Sequence, residues 1–162
     1  MSMRDSDTDG ATSVRRERPG GPEVPVGYEL LETTPSVAAF RRLRRDAGMT
    51  DRSPEAVERG LPNTTYGVHV VDVETGTPVG MARLVGDNGT VFHVTDMAVA
   101  EAHQRRGIGT AMMDALVEWL RENAPDGAFV DLLADVDGFY ERWGFEESAP
   151  ASKGMWIRTE AL

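Results

Sequence analysis

Hydrophobic and polar positions alternate along three consecutive stretches of the chain, at 65–73, 78–85 and 90–99. A period of two is typical of strands that bury one face of a sheet. The segments between them, 74–77 and 87–89, are short and rich in Gly, Asn, Asp and Thr, which favours tight turns. The sequence therefore predicts three strands that follow one another through turns.

Two stretches with helical spacing precede these strands. Apolar residues recur every three or four positions over 35–47, and Thr34 is the expected N-cap of that helix. Ser53 stands directly before Pro54, an arrangement that favours the start of a second, short helix, and Gly60 is expected to end it.

A longer helix is predicted over 107–123, because one apolar stripe runs along it at helical spacing. The stripe consists of Ile108, Met112, Ala115, Leu116, Trp119 and Leu120. The remaining predicted elements are a first strand at 28–32, a strand at 129–134, a short helix at 137–142, and a closing hairpin of 145–147 with 155–158. Together these elements predict an α+β fold.

The composition separates a terminal segment from the rest. Residues 1–25 contain no aromatic residue, Leu or Ile, so they cannot bury enough apolar area to offset their ordering entropy, and a flexible arm is predicted. Residues 26–162 are expected to form one domain around one core. No apolar run approaches about 18 residues and no secretory segment is present, so we expect a cytoplasmic protein without a membrane partner.

The formal net charge is −10, and Lys153 is the single lysine among 17 basic residues. Net acidity argues against nucleic acid as the main partner and favours an amine-bearing one. Such acidity with almost no lysine is typical of proteins from salt-loving organisms; a high-GC genome that replaces lysine by arginine is the alternative. The absence of cysteine removes disulfides, thiolate metal sites and acyl-cysteine intermediates, and no metal site is predicted.

The most specific chemistry lies between the third strand and the long helix, where Gly107-Ile108-Gly109-Thr110 opens the helix. The first N–H groups of a helix are unpaired and the helix dipole adds positive charge, so a glycine-rich turn there suits a polyphosphate. The segment lacks the lysine of a Walker loop, and Met112 stands where the dinucleotide fingerprint needs a third glycine.

What remains is the string 104–109, Gln-Arg-Arg-Gly-Ile-Gly, shortly after a strand that ends in Met-Ala-Val at 97–99. These residues resemble the acetyl-coenzyme A loop of the GCN5-related N-acetyltransferases. The segment 139–145, Phe-Tyr-Glu-Arg-Trp-Gly-Phe, is similar to a C-terminal segment of the same family. The resemblance covers 28–162 and implies the family fold, a mixed and mainly antiparallel sheet of about six to seven strands flanked by helices.

The resemblance implies that acetyl-coenzyme A is a co-substrate. Backbone groups of Met97, Ala98 and Val99 are expected to line its pantetheine and acetyl arm, because in the family a bulge in this strand and a splayed neighbouring strand open a slot. The pyrophosphate is expected to lie against Gln104, Arg105, Arg106, Gly107, Ile108, Gly109 and Thr110. The chain departs from the family in lacking an asparagine shortly before the tyrosine of 139–145.

Acetyl transfer to an amine needs a polarised thioester carbonyl, a neutral amine and a proton for the departing thiolate. The resemblance makes Tyr140 the expected general acid, and a phenol pKa near ~10 suits that task. His93 occupies a position comparable to a glutamate that serves as base in some members. Asp96, an acidic residue in an otherwise apolar stretch, is a second candidate base, and His69 on an earlier strand is a third. Proton loss to water through a chain of polar groups is the default expectation.

The expected activity is transfer of an acetyl group to a primary amine, on a small molecule in preference to a protein, by direct attack in a ternary complex. Acceptor recognition is expected at the first two helices, where an arginine of 41–45 that turned inward would suit a carboxylate on the acceptor. The alternatives are a protein N-terminal or lysine acetyltransferase, and a non-catalytic acyl-coenzyme A sensor that would not need Tyr140. A homodimer formed through apolar edges near the C-terminal strands is also an expectation.

Overall fold

A five-stranded mixed sheet forms the centre of the protein in a computed structural model that describes residues 21–161. Residues 1–20 of the predicted arm and Leu162 lie outside the described residues. The strands lie side by side in chain order: β1 (Tyr28–Leu31), β2 (Tyr66–Asp72), β3 (Pro78–Gly86), β4 (Val91–Val99) and β5 (Phe129–Leu132). All neighbours are antiparallel except β4 and β5, which confirms the α+β class with a mainly antiparallel sheet.

Three α-helices flank the sheet. The first begins after Ser36, whose Oγ accepts a hydrogen bond from Ala39 N at 3.2 Å, so Ser36 and not Thr34 is the N-cap. Ser53 caps the second helix as predicted, with its Oγ 3.2 Å from Ala56 N. The helices are α1 (Val37–Asp46), α2 (Pro54–Gly60) and α3 (Ile108–Asn123). No helix among residues 21–161 is both long and apolar enough to cross a bilayer.

The two faces of the sheet carry separate cores. On one face α3 buries Met112 and Leu116 against β2, β3 and β4. On the other face α1 and α2 bury Phe40, Leu43 and Val57 against β3 and β4. Each of these large side chains contributes roughly 1.5–3 kcal/mol by leaving water, so the sheet is held between both helical layers.

A β-bulge interrupts the pairing of β3 with β4. Met81 lies opposite Ala98 and Arg83 lies opposite Thr95, so two residues of β4 face one residue of β3. Asp96 is in the bulge and has a φ of 54°, which is unusual for a residue other than glycine. The extra residue shifts the alternation of β4 and turns the Asp96 side chain toward α1.

The pairing of β4 with β5 ends close to this bulge. The last paired residues are Val94 and Leu132, although β4 continues to Val99. The two strands therefore part at the residues that surround Asp96, and the second half of β4 has an open side.

The predicted closing hairpin of 145–147 and 155–158 is wrong, because the structure has no strand in either segment. Met155, Trp156 and Ile157 are exposed instead of packed on the sheet. β5 is the last strand of the sheet and is only four residues long, so its outer edge offers few backbone groups to a further strand. The sheet therefore has five strands in the described residues, fewer than the six to seven expected.

The turns beside the sheet are short 3₁₀ helices. The predicted helix at 137–142 is one such turn, displaced toward the C-terminus. The four turns are Leu61–Asn63, Glu101–His103, Tyr140–Trp143 and Thr159–Ala161.

Candidate active site

The start of α3 is built to receive an anion through its backbone. Arg105 has a φ of 58° and Gly107 a φ of 90°, so left-handed residues flank Arg106 just before the helix. Gly107 is the N-cap and offers no side chain to the first N–H groups, and the first helical bond of this turn runs from Ala111 N to Gly107 O. Successive backbone N–H groups in such a turn form a concave anion site, so these residues fit a pyrophosphate.

Contacts with β1 and β4 hold this loop in place. The Tyr28 hydroxyl accepts a hydrogen bond from Arg106 Nη1 at 3.2 Å and lies 2.9 Å from His103 Nδ1. Gln104 Nε2 donates to the carbonyl oxygen of Val99 at 3.0 Å. The Gln104 side chain therefore links the loop to the end of β4, and it occupies the Val99 carbonyl that was expected to line the slot.

The 3₁₀ turn with Tyr140 is docked on the first half of α3. Arg142 Nη2 donates to Thr110 Oγ1 at 2.6 Å, and Trp143 Nε1 donates to Asp114 Oδ1 at 2.8 Å. The motif at 139–145 therefore lies beside residues 104–110, which we call the phosphate loop after the ligand expected there. The polar contacts of Arg142 and Trp143 were not foreseen, because nothing local in the sequence points to their partners on α3.

Tyr140 sits in an aromatic cluster and is half-buried. Its ring centroid lies 4.9 Å from that of Phe139 and 6.4 Å from that of Phe145. Burial raises the pKa of the Tyr140 phenol, and the negative charge of Asp135 adds to the effect. The phenol therefore keeps its proton at neutral pH, as a proton donor must.

His93 has an acidic partner on the neighbouring strand. It lies opposite Asp131 in the β4–β5 register, and its Nδ1 is 2.8 Å from Asp131 Oδ1. When Nδ1 carries the proton for that bond, Nε2 keeps its lone pair and is able to accept a proton. Asp131 was missed in the sequence, since nothing local distinguishes it from a surface residue of a strand.

Asp96 has both carboxylate oxygens occupied. Arg44 Nη1 lies 2.5 Å from Oδ1, and Arg83 Nε lies 2.5 Å from Oδ2. Arg44 and Asp96 are both buried. Protonation of Asp96 would leave two guanidinium groups without their counter-charge, so this geometry favours a structural role for Asp96 over that of a base.

The predicted residues thus fall into two groups. Tyr140, the loop residues and the start of α3 lie together, whereas His93 and Asp96 lie on β4 and face the side of α1 and α2. Within residues 21–161 no hydrogen bond or ring contact joins Tyr140 to His93 or Asp96. The open side of β4 after the bulge, at 97–99, lies between the two groups in the chain.

Known proteins share this fold. The model of the acetyltransferase (GNAT) family matches residues 36–145. A protein of unknown function from meticillin-resistant Staphylococcus aureus, described as a probable acetyltransferase, is similar with a TM-score of 0.77 and 32% identity, over 81% of this chain and 98% of that one. Serotonin N-acetyltransferase 2, a chloroplastic protein of Oryza sativa subsp. japonica, is 30% identical over 122 residues, 74% of this chain and 60% of that protein.

A GNAT family acetyltransferase from Brucella melitensis, solved in complex with acetyl-CoA, shares the fold with a TM-score of 0.55 and 20% identity, over 74% of this chain and 83% of that one. The chain spans less than two thirds of the length of the rice protein. The family model, however, covers more than half of this chain, and the bulged strand, the parting of β4 from β5 and the glycine turn lie within the matched region. The chain belongs to the acetyltransferase (GNAT) family and is an acyltransferase.

Proposed function

We propose that this protein transfers an acetyl group from acetyl-coenzyme A to a primary amine of a small molecule, by direct attack in a ternary complex. One observation carries the proposal. β5 departs from β4 close to the bulge, the open side of β4 begins there, and the anion-binding turn of α3 comes next in the chain. An extended acyl arm and a pyrophosphate require these two features in sequence.

The residues that would hold acetyl-coenzyme A carry chemical groups that suit this ligand. The backbone N–H groups of 105–110 and the side chains of Arg105 and Arg106 would bind the pyrophosphate, and Gln104 would hold the loop. The backbone of 97–99 would lie along the pantetheine and acetyl arm. Bound there, acetyl-coenzyme A supplies an activated acyl group, and the extra residue of the bulge leaves backbone groups free of the ladder to polarise its carbonyl.

Two protons must move during the transfer. His93 Nε2 takes the proton that the amine loses as it attacks, and the Asp131 carboxylate stabilises the imidazolium that forms. Tyr140 gives its proton to the thiolate that leaves, and its raised pKa keeps the phenol protonated at neutral pH until then. The proton balance closes when the imidazolium of His93 releases its proton to solvent and the phenolate of Tyr140 takes one up from solvent.

A small acceptor suits the space on the α1–α2 side. A cavity of about 230 Å³ lies between α2 and β4, and it is lined by Phe40, Arg52, Ala56, Val57, Gly60, Leu61, Arg83 and Asp96. This volume accommodates a small amine, which supports a small-molecule acceptor.

Thermal unfolding tests the ligand first. Acetyl-coenzyme A and coenzyme A should raise the midpoint of the wild-type protein and ATP alone should not, because a ligand that binds only the folded state stabilises it. Release of free thiol in a screen of primary amines then tests turnover. No shift with either coenzyme A species would refute the assignment of the loop.

Tyr140→Phe separates an enzyme from a sensor. The substitution should lower turnover by about 100-fold while the affinity for coenzyme A stays unchanged. Tyr66→Phe is the matched control, since the Tyr66 hydroxyl donates to Glu32 at 2.8 Å, and its ring stacks on Trp119 of α3. Tight binding of acetyl-coenzyme A without turnover of any amine in the wild type would favour the sensor.

A further inference from the structure

The cavity between α2 and β4 combines apolar walls with an excess of positive charge. Its charged lining consists of Arg52, Arg83 and Asp96. Asp96 is neutralised twice, because it pairs with both Arg83 and the buried Arg44 behind it. Around this cavity three guanidinium groups therefore share a single carboxylate.

Arg52 is the group left without a carboxylate. Within residues 21–161 it forms no ion pair, and its Nη1 makes only long contacts with the carbonyl oxygens of Thr50 at 3.5 Å and Asp51 at 3.4 Å. Burial, together with the positive charges of Arg44 and Arg158, lowers the pKa of Arg52. The carboxylates of Asp96 and Asp51 offset this effect only in part, and neither forms an ion pair with Arg52 within residues 21–161.

The neighbouring carboxylate of Asp51 is already engaged. Asp51 accepts hydrogen bonds from Arg41 Nη2 at 2.7 Å and from Arg45 Nη1 at 3.2 Å. The Arg41 guanidinium holds the pKa of Asp51 at about 2, below its usual 3.8. Asp51 therefore pairs with α1 and forms no ion pair with the Arg52 side chain, although its negative charge partly offsets that of Arg52.

The loop that carries Arg52 is fixed to α1 from behind. Arg41 Nε donates to the carbonyl oxygen of Arg52 at 2.8 Å, and Arg44 Nε donates to that of Thr50 at 2.7 Å. These two hydrogen bonds fix the backbone of the loop from which the Arg52 side chain extends to the cavity.

Arg83 lines the same cavity as Arg52. Its Nε donates to Asp96 and its Nη1 donates to Thr64 Oγ1 at 3.1 Å. Among the described residues its Nη2 has no hydrogen-bond partner. Two guanidinium groups with spare donors at one small cavity offer the kind of donors that a planar or tetrahedral oxyanion accepts.

We propose that this cavity binds the acid group of the acceptor, so that the substrate is an amine that also carries a carboxylate or a phosphate. The inference rests on the proposed acetyl transfer, and it names the acceptor class for the same site. Asp96 lines the cavity and directly precedes the open part of β4, so an acceptor anchored at Arg52 and Arg83 directs its other end toward the acyl arm. The local positive charge is notable in a chain of net charge −10, because the rest of the surface repels such a substrate.

Anion binding is tested without turnover. The protein is saturated with coenzyme A, which fills the phosphate loop, and is titrated with malonate or inorganic phosphate against chloride of equal ionic strength. Either oxyanion should raise the unfolding midpoint of the wild type above the chloride control. Arg52→Gln should raise about tenfold the oxyanion concentration that gives the same shift of the midpoint, because one charge-assisted bond is lost. Malonate and phosphate titrated separately distinguish a carboxylate site from a phosphate site.

Arg59→Gln is the matched control, because the substitution removes the same charge from the exposed side of α2. Equal responses of Arg52→Gln and Arg59→Gln would overturn the inference. Arg52→Lys keeps the charge and should retain part of the binding, so it replaces Arg52→Gln if that variant does not fold. A midpoint that oxyanions leave at the chloride value in the wild type would also overturn it.

Turnover separates this inference from the proposed function. Primary amines that end in a carboxylate or a phosphate are compared with primary amines of the same length that end in an uncharged amide. Arg52→Gln should lower kcat/KM for the acids about tenfold or more and leave the amides within about twofold. Turnover that prefers neutral amines and ignores Arg52 would refute the anionic acceptor alone. Oxyanion binding at Arg52 without thiol release from any amine would refute the acetyl transfer alone.

Discussion

Asp131 on β5 lies directly opposite His93 on β4, and its Oδ1 is 2.8 Å from His93 Nδ1. The parallel register of the two strands creates this pair across 38 positions of the chain. It is the last but one pair before β4 and β5 part, so the imidazole stands at the entrance of the slot between them.

Removal of the base should reduce the chemical step strongly. We expect His93→Gln to lower kcat by about 100-fold or more, because a positioned base contributes about 10²–10⁴ to such a reaction. Asp131→Asn should lower kcat about tenfold, since it leaves the imidazole in place and removes only the carboxylate that orients it. Steady-state kinetics, with coenzyme A affinity measured in parallel, checks both values. Asp126→Asn on an exposed turn is the control, and an Asp131→Asn enzyme as fast as this control would contradict the role of Asp131.

The ion pairs of Asp96 should govern stability. Asp96→Asn leaves the buried guanidinium of Arg44 without its full counter-charge, and removal of one partner of a buried pair costs about 3–5 kcal/mol. Denaturant unfolding measures the free energy of unfolding. Glu55→Gln breaks an exposed pair with Arg59 and should cost about 1 kcal/mol or less. Similar losses of unfolding free energy in both variants would contradict a larger stabilising contribution from the buried ion pairs.

Gly107 should be needed for its backbone conformation. Its φ is 90°, and a Cβ there would also lie 3.3 Å from Pro25 Cγ, so Gly107→Ala should distort the anion-binding turn. Gly127 has a similar φ of 80° with no atom within 4 Å of an added Cβ, which makes Gly127→Ala the control. Both variants should lose about 1 kcal/mol of stability, and Gly107→Ala alone should lose coenzyme A affinity. Calorimetric titration with coenzyme A decides, and equal affinities would contradict the assignment of the loop.

The Tyr28 hydroxyl should support the phosphate loop from β1. It bridges His103 and Arg106, so Tyr28→Phe should weaken coenzyme A binding about threefold to tenfold with little loss of stability. Direct binding measurements test this expectation, with Tyr66→Phe as the variant that removes a hydroxyl elsewhere. An unchanged affinity would mean that Arg106 keeps its place without the bridge.

Acid should lower the free energy of unfolding in the pH range set by the pKa of Asp51. Its pKa is lowered from 3.8 to about 2, so the unfolded state binds more protons between these values, and stability falls as the pH falls through them. The contribution is fully present above about pH 4. Unfolding followed between pH 5 and pH 2 should show a smaller loss in Asp51→Asn than in the wild type. Since the pair is exposed, high salt should reduce the difference, and a variant with the wild-type slope would contradict the pairing with Arg41.

The sequence alone determined the features that depend on neighbouring residues. The central three strands, the Ser53 cap and the long helix agree with the structure to within a few residues, because periodicity and capping are local properties. The suitability of the glycine turn for an anion was also predictable from the sequence, since unpaired N–H groups at a helix start follow from helix geometry itself. The family resemblance rested on these same local motifs and is confirmed.

Only the tertiary structure decided which distant side chains meet. The family resemblance implied a bulge in this strand, but only the structure shows that the extra residue turns Asp96 toward Arg44 and Arg83. The Asp131 partner of His93 depends equally on register. The predicted closing hairpin was wrong because apolar composition indicates a strand locally, whereas pairing depends on an edge elsewhere in the chain, and the edge that β5 offers is only four residues long. Local chemistry thus determined the elements and the loop, whereas long-range pairing decided the contact of His93 with Asp131, the buried charges and the cavity of Arg52.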